Sequence, residues 1–122
     1  MDSRSKILSP AAAAALPAPV TLAIGTFDVV RAEHARELAA IRNAAGLLLV
    51  AVLSHENALL FQQARAELVA ALRMVDYVVA PAPNEIDLLI SALRPARIVR
   101  MEVGDAQRTK QLIEHVHRRQ TA

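Results

Sequence analysis

The fold is decided by residues 20–28, which read Val-Thr-Leu-Ala-Ile-Gly-Thr-Phe-Asp. The apolar run from Val20 to Ile24 ends at a glycine, and a second apolar run, Leu47 to Leu53, follows Gly46. Apolar residues are continuous in these runs and do not alternate with polar ones, which is typical of strands buried on both faces of a parallel sheet. We therefore expect the two runs to be neighbouring strands in the interior of such a sheet.

Two shorter apolar runs and several helical patterns complete the chain. The runs, Tyr77 to Val79 and Arg97 to Met101, predict a third and a fourth strand. Ser9 and Pro10 predict a short capped helix before the first strand. Periodic apolar positions predict longer helices, at 32–45, 62–74, 85–93 and from Asp105 onward.

Caps and apolar faces define these helices further. Gly46 stands where the C-cap of the helix at 32–45 belongs, and Asn84 can cap the helix at 85–93. Each of the other two helices has a predicted apolar face, formed by Leu68, Val69, Ala71 and Leu72 in one and by Leu112, Ile113 and Val116 in the last.

The order of these elements predicts an α/β fold, a Rossmann-like three-layer α/β/α arrangement with a mostly parallel sheet of four to five strands. The length of 122 residues fits one domain that spans residues 1–122. We expect residues 1–6 of this domain to be mobile.

Composition and charge exclude several classes of protein. The longest apolar run, Ala44 to Leu53, is shorter than a membrane span requires. The charged start is not followed by the apolar region of a signal peptide. We therefore expect a cytoplasmic protein with no membrane partner. There are no cysteines to form disulfides or ligate zinc. The net charge is +2 and aromatic residues make up 2%, which gives no reason to expect nucleic-acid binding. His115 and His117 are two apart on a predicted helix and cannot form a metal-binding pair, so we expect no metal site in the protein itself.

The junction after the strand at 20–24 is the candidate ligand site. Ligands of open α/β sheets bind beyond the carboxyl ends of the strands, and a helix N-terminus there offers unpaired N–H groups to phosphate. Asp28 could contact such a ligand or cap the following helix. His55 and Glu56, in the loop after the second strand, could line the same pocket or be merely solvated.

The same junction resembles the signature of the cytidylyltransferase-like nucleotidyltransferases. In that family a buried strand runs into Gly-Thr-Phe-Asp, and a His-x-Gly-His motif then opens the next helix. This chain has Gly-Thr-Phe-Asp at 25–28 and Arg-Ala-Glu-His at 31–34. The resemblance extends through residues 63–68 and 72–79, and it is nearest to heptose-phosphate adenylyltransferases and glycerol-phosphate cytidylyltransferases.

The resemblance implies a set of site residues. His34, which matches the second histidine of the motif, and Arg31, which replaces the first, are the implied catalytic residues. The implied nucleotide-binding residues are Gly25, Thr26, Phe27, Asp28, Arg31, Glu33 and His34. Glu33 stands where the family has the glycine over which the nucleotide lies. We expect its carboxylate to take the place of a phosphate, either over the amides of the helix N-terminus or paired with Arg31.

Two further departures concern the family's basic groups. The loop after the second strand, residues 54–61, lacks the lysine and the Arg-Pro pair that the family carries there. Residues 107–110 are only a weak substitute for the family's late Ser/Thr-Arg motif. We therefore predict a nucleotidyltransferase-like homodimer with a degenerate active site and a binding or assembly role. The alternative is an active enzyme that joins ATP or CTP to a sugar or polyol phosphate with Mg²⁺.

Overall fold

The computed structural model of this chain describes residues 2–28, 30–42, 46–55, 58 and 60–101. Within these ranges, five strands form one sheet in which all neighbours run parallel. Their order across the sheet is β1-β4-β3-β2-β5, which confirms the predicted parallel sheet of four to five strands. The strands are β1 (Ile7–Leu8), β2 (Val20–Gly25), β3 (Leu47–Val52), β4 (Tyr77–Val79) and β5 (Arg97–Arg100).

Strands β2 and β3 lie side by side in the interior of the sheet, as predicted. Their register pairs Val20 with Leu47 at one end and Gly25 with Val52 at the other. β5 flanks β2 on its other side, and β4 flanks β3. Because successive side chains of β3 enter two different cores, the strand needs no polar face.

Helices cover both faces of the sheet and give the predicted three layers. They are α1 (Pro10–Ala14), α2 (Ala32–Ile41), α3 (Gln62–Ala70) and α4 (Ile86–Leu93). Leu38 of α2 and Val69 of α3 belong to the core on one face. Ala13 of α1 and Leu89 of α4 belong to the core on the other face. The carboxyl ends of β2 and β3 therefore lie between two layers of helices.

The predicted helix at Ser9 and Pro10 is confirmed as α1. The Ser9 hydroxyl accepts a hydrogen bond from the Ala12 amide at 3.2 Å, and Pro10 occupies the first turn. A 3-10 helix, Ser3–Lys6, and β1 precede it. The mobility expected of residues 1–6 stays a prediction, because their conformation alone does not measure motion.

The predicted course of helix α3 is partly wrong. The helix ends at Ala70, and residues 71–74 form turns. Its buried side is formed by Arg65, Ala66, Val69 and Ala70. Leu68 and Ala71, which we expected on the inner face, are exposed. The helix is rich in alanine and carries a leucine on its outer side, so apolarity alone does not distinguish its two sides.

Neither of the two predicted caps is confirmed, and Gly46 has a different role. Helix α4 begins at Ile86 after Glu85, whose carboxylate accepts from the Ala82 amide at 2.7 Å, so the cap expected at Asn84 is wrong. Gly46 has a φ of +122°, and a Cβ there would lie 2.5 Å from the Pro19 carbonyl oxygen. This close approach requires glycine at the start of β3.

Helix α2 is shorter than predicted. It ends at Ile41 with Arg42 as its C-cap residue, so the predicted course to residue 45 and the C-cap at Gly46 are wrong. The helix expected from Asp105 and the substitute motif at 107–110 lie outside the described part of the chain.

Candidate functional site

The predicted site residues lie at the switch point of the sheet. From β2 the chain proceeds to β3 and β4 on one side, and it then returns to place β5 on the other side of β2. Open α/β sheets bind ligands beyond the carboxyl ends of the strands at such a point. Gly25 ends β2 there, Thr26 to Asp28 follow it, and Arg31 is the N-cap residue of α2.

Phe27 has an unusual backbone conformation in this turn. Its φ is +50°, in the left-handed region, although its side chain is fully buried in the core. A non-glycine residue in this region costs about 1–2 kcal/mol. Such a conformation persists only where the surrounding structure determines it, and it is most frequent at functional sites.

His34 is held by Phe27 and by the backbone of Arg31. The imidazole is only 3% exposed, and its ring centroid lies 5.5 Å from that of Phe27. The Arg31 amide donates a hydrogen bond to Nδ1 of His34 at 3.0 Å. Because Nδ1 is an acceptor, the neutral ring carries its proton on Nε2, which is then a hydrogen-bond donor.

The other sequence-predicted residues differ in exposure. Gly25 is buried, Thr26, Asp28 and Arg31 are half-buried, and Glu33 is exposed in the first turn of α2. A carboxylate in a first helical turn interacts favourably with the helix dipole. Thus Arg31, Glu33 and His34 all lie at the N-terminus of α2, next to the turn that follows β2.

Arg65 is a residue of this region that the sequence analysis missed. It lies on α3, and its side chain is only 1% exposed. Nη1 donates to the carbonyl oxygen of Thr26 and to the carbonyl oxygen of Leu53, the latter at 2.8 Å. Nε donates to the carbonyl oxygen of Leu60 at 3.0 Å. One guanidinium therefore joins the segments that follow β2 and β3 to the start of α3. One feature of the sequence could have indicated its burial: Arg65 lies four residues before Val69, which places both on the same side of the helix.

Gln62 makes similar contacts one helical turn earlier. Its Nε2 donates to the carbonyl oxygen of Val52 at 2.9 Å and to that of Pro81 at 2.8 Å. Gln62 and Arg65 together thus hold the carboxyl ends of β2, β3 and β4, and we call this pair the α3 clamp. Its acceptors among the described residues are all main-chain oxygens.

The α3 clamp places a positive charge beneath the site. Burial lowers the pKa of Arg65 from its ordinary value, and the negative charge of Asp28 acts in the opposite direction. An arginine remains protonated at physiological pH in spite of such a shift. A hydrogen bond from a charged donor is worth about 1.5–3 kcal/mol, which is enough to offset the backbone cost at Phe27.

The described residues of the loop after β3 are mostly exposed. His55 is exposed, and so are Leu60 and Phe61, the latter by 89%. Residues 56, 57 and 59 are outside the described residues.

Within the described ranges, no group of three or more His, Cys, Asp or Glu side chains could hold a metal ion. No helix in the described part of the chain is long and apolar enough to cross a membrane.

Comparison with known proteins shows the fold of this chain. Neither models of protein families nor curated protein sequences give a match. Among solved structures, the chain is similar to the lipopolysaccharide core biosynthesis protein from Thermoplasma volcanium GSS1, with a TM-score of 0.60 and 18% sequence identity. The similarity covers 66% of this chain and 71% of that protein, and it agrees with a Rossmann-like α/β domain.

Proposed function

We propose that this chain is a cytidylyltransferase-like nucleotidyltransferase-fold protein in which nucleotidyl transfer is impaired and a binding or assembly role remains. The observation that carries the proposal is Glu33, exposed in the first turn of α2 at the switch point of the sheet. A phosphate would interact with the N–H groups of the helix N-terminus and with the positive end of the helix dipole, which also favours a carboxylate. The carboxylate competes for these interactions and repels a phosphate.

Two further features of the sequence support impairment. Transfer of a nucleotide requires donors that are fixed around the phosphates as charge develops. Arg31 replaces the first histidine of the family's motif, and a long guanidinium is less fixed than an imidazole. The segment 54–61 also contains no lysine or arginine that could neutralise phosphate.

Other features support a remaining affinity for a phosphate-bearing ligand. His34 retains an N–H on Nε2, and Arg31 and Arg65 add positive charge to the same region. The neighbour of similar fold is named for lipopolysaccharide core biosynthesis. We therefore propose nucleotides and sugar phosphates as ligands to test, and a second copy of the chain as the partner in a cytoplasmic homodimer. Light scattering at micromolar concentration checks the dimer, which a monomer mass would contradict.

An assay of pyrophosphate release tests the impairment. The purified protein is incubated with ATP or CTP, Mg²⁺ and a panel of sugar phosphates. We expect no release above background. Turnover with any member of the panel would contradict the proposal if it is lost in both His34→Ala and His34→Gln. Glutamine is the matched variant because, at the third helical position, it can still accept from the Arg31 amide.

An active nucleotidyltransferase is the second candidate, and the Nε2 donor of His34 favours it. In this reaction a phosphate oxygen of the acceptor attacks the α-phosphorus of the nucleotide and pyrophosphate leaves, while His34 and Arg31 donate to the phosphates. Mg²⁺ would neutralise phosphate charge when bound. The described residues form no dedicated metal cage, so the ion would be held largely by the phosphates themselves.

A further inference from the structure

A continuous series of contacts leads from helix α3 to the imidazole at the start of helix α2. Arg65 donates to the carbonyl oxygen of Thr26. That carbonyl lies in the peptide plane whose nitrogen belongs to Phe27, so its direction and the φ of Phe27 are linked. The Phe27 ring contacts the ring of His34, whose Nδ1 accepts from the Arg31 amide.

The conformation of Phe27 needs an external restraint. With a φ of +50° it lies outside the regions that a bulky side chain prefers. Rotation of the Thr26 peptide plane to a negative φ would turn the carbonyl away from Arg65. Because the guanidinium is planar and is also held by the carbonyls of Leu53 and Leu60, it cannot follow that rotation.

We propose that Arg65 is a positioning residue for His34. By fixing the Thr26 carbonyl it holds Phe27 in the left-handed conformation, and Phe27 in turn holds the imidazole with Nδ1 on the Arg31 amide and the hydrogen on Nε2. Arg65 itself contacts no ligand in this role. The inference rests on the proposed function for the importance of His34, but its test requires no ligand.

The test measures the His34 bond directly in Arg65→Lys and Arg65→Met. Nitrogen NMR at alkaline pH distinguishes the two tautomers of the neutral ring, and hydrogen exchange of the Arg31 amide reports the bond to Nδ1. We expect the wild type to show the Nε2–H tautomer alone. In the Arg65 variants we expect both tautomers, with exchange of the Arg31 amide at least about tenfold faster than the change in global stability accounts for.

Gln62→Ala is the matched control. It removes the other half of the α3 clamp, which holds β3 and β4 but does not touch Thr26. We expect this variant to keep the wild-type tautomer and the protection of the Arg31 amide. Equal loss in Gln62→Ala, or no loss in either folded Arg65 variant, would overturn the proposal.

The wild-type protein provides the test if neither Arg65 variant folds. Native-state hydrogen exchange in denaturant should then show the Arg65 Nε–H and the Arg31 amide opening in one step, with the same dependence on denaturant. Separate opening reactions would overturn the proposal. A wild type that binds no nucleotide or phosphate would contradict the proposed binding role but leave these measurements unaffected.

Discussion

The carboxyl ends of the strands form one edge of the sheet and their amino ends form the opposite edge, and different interactions stabilise the two. At the carboxyl edge, the α3 clamp donates from within the protein to main-chain oxygens, and Arg65 is buried. At the amino edge, Asp76 accepts from the guanidinium of Arg42 at 2.8 and 3.1 Å and from the Leu48 amide at 2.8 Å. The side chain of Arg42 is 41% exposed and that of Asp76 is 22% exposed.

The two edges differ in whether the charged side chain that stabilises them is buried or exposed. The hydrogen bond with Asp76, and to a lesser extent its charge, raise the pKa of Arg42, but an exposed ion pair of this kind contributes little to stability. Arg65 is removed from water, so its charge depends on the bonds that it makes within the protein. We therefore expect loss of the buried charge of Arg65 at the carboxyl edge, where the candidate site lies, to cost more than a substitution at the amino edge.

Arg65→Ala should have the largest effect of the substitutions considered. It leaves a cavity in the core and removes the donor from three carbonyl oxygens, so we expect a loss of about 3 kcal/mol or more in the free energy of unfolding. Urea denaturation followed by circular dichroism measures it. A loss below that of Asp76→Ala would reverse the proposed ranking of the two edges.

Asp76→Ala should cost about 2 kcal/mol, because the buried amide of Leu48 loses its acceptor. Arg42→Ala is the control, since it breaks only the exposed ion pair and should cost less than about 1 kcal/mol. The same denaturation experiment on both variants separates the two contributions. Equal losses would show that the ion pair, and not the Leu48 amide, is the important contact at the amino edge.

Gln62→Ala should cost about 1 kcal/mol, since the half-buried side chain makes two uncharged hydrogen bonds. Its midpoint of urea denaturation should therefore lie between those of Arg65→Ala and the wild type. If the loss equals that of Arg65→Ala, the clamp acts as one unit and the buried charge has no separate importance.

Glu33→Gly should change stability least, by at most about 1 kcal/mol, because a charge at a helix N-terminus contributes no more than that. Nucleotide affinity should rise, since the competing carboxylate is gone, and should rise again when Arg31→His is added. Calorimetric titration of the wild type and both variants with ATP and CTP measures this. Equal affinities in all three proteins would mean that Glu33 is a surface residue with no effect on the site.

Much of the fold was predictable because burial on both faces leaves a clear pattern. The apolar runs that became β2 and β3 need no distant information to be recognised. β1 was missed because it is two residues long and its partner among the described strands, β4, is distant in sequence. The inner face of α3 was only partly identified, since its alanines make both sides of the helix similar in polarity.

The candidate site was located but not explained by its sequence. The junction after β2 was predicted from the strand and the turn, and His34 lies there. The role of Arg65 could not be predicted, because an arginine in a helix usually faces solvent and its partners belong to three separate segments. The left-handed φ of Phe27 likewise depends on tertiary contacts, not on its residue type.

The α3 clamp has a consequence for how this protein can change in evolution. Gln62 and Arg65 bind carbonyl oxygens, which every amino acid possesses, so the clamp itself places no demand on the side chains of Thr26, Leu53 or Leu60. Mutations in the loops at this edge can therefore accumulate while the course of the backbone is maintained. A domain built in this way can lose a catalytic activity, or acquire a new binding specificity, while its fold stays the same.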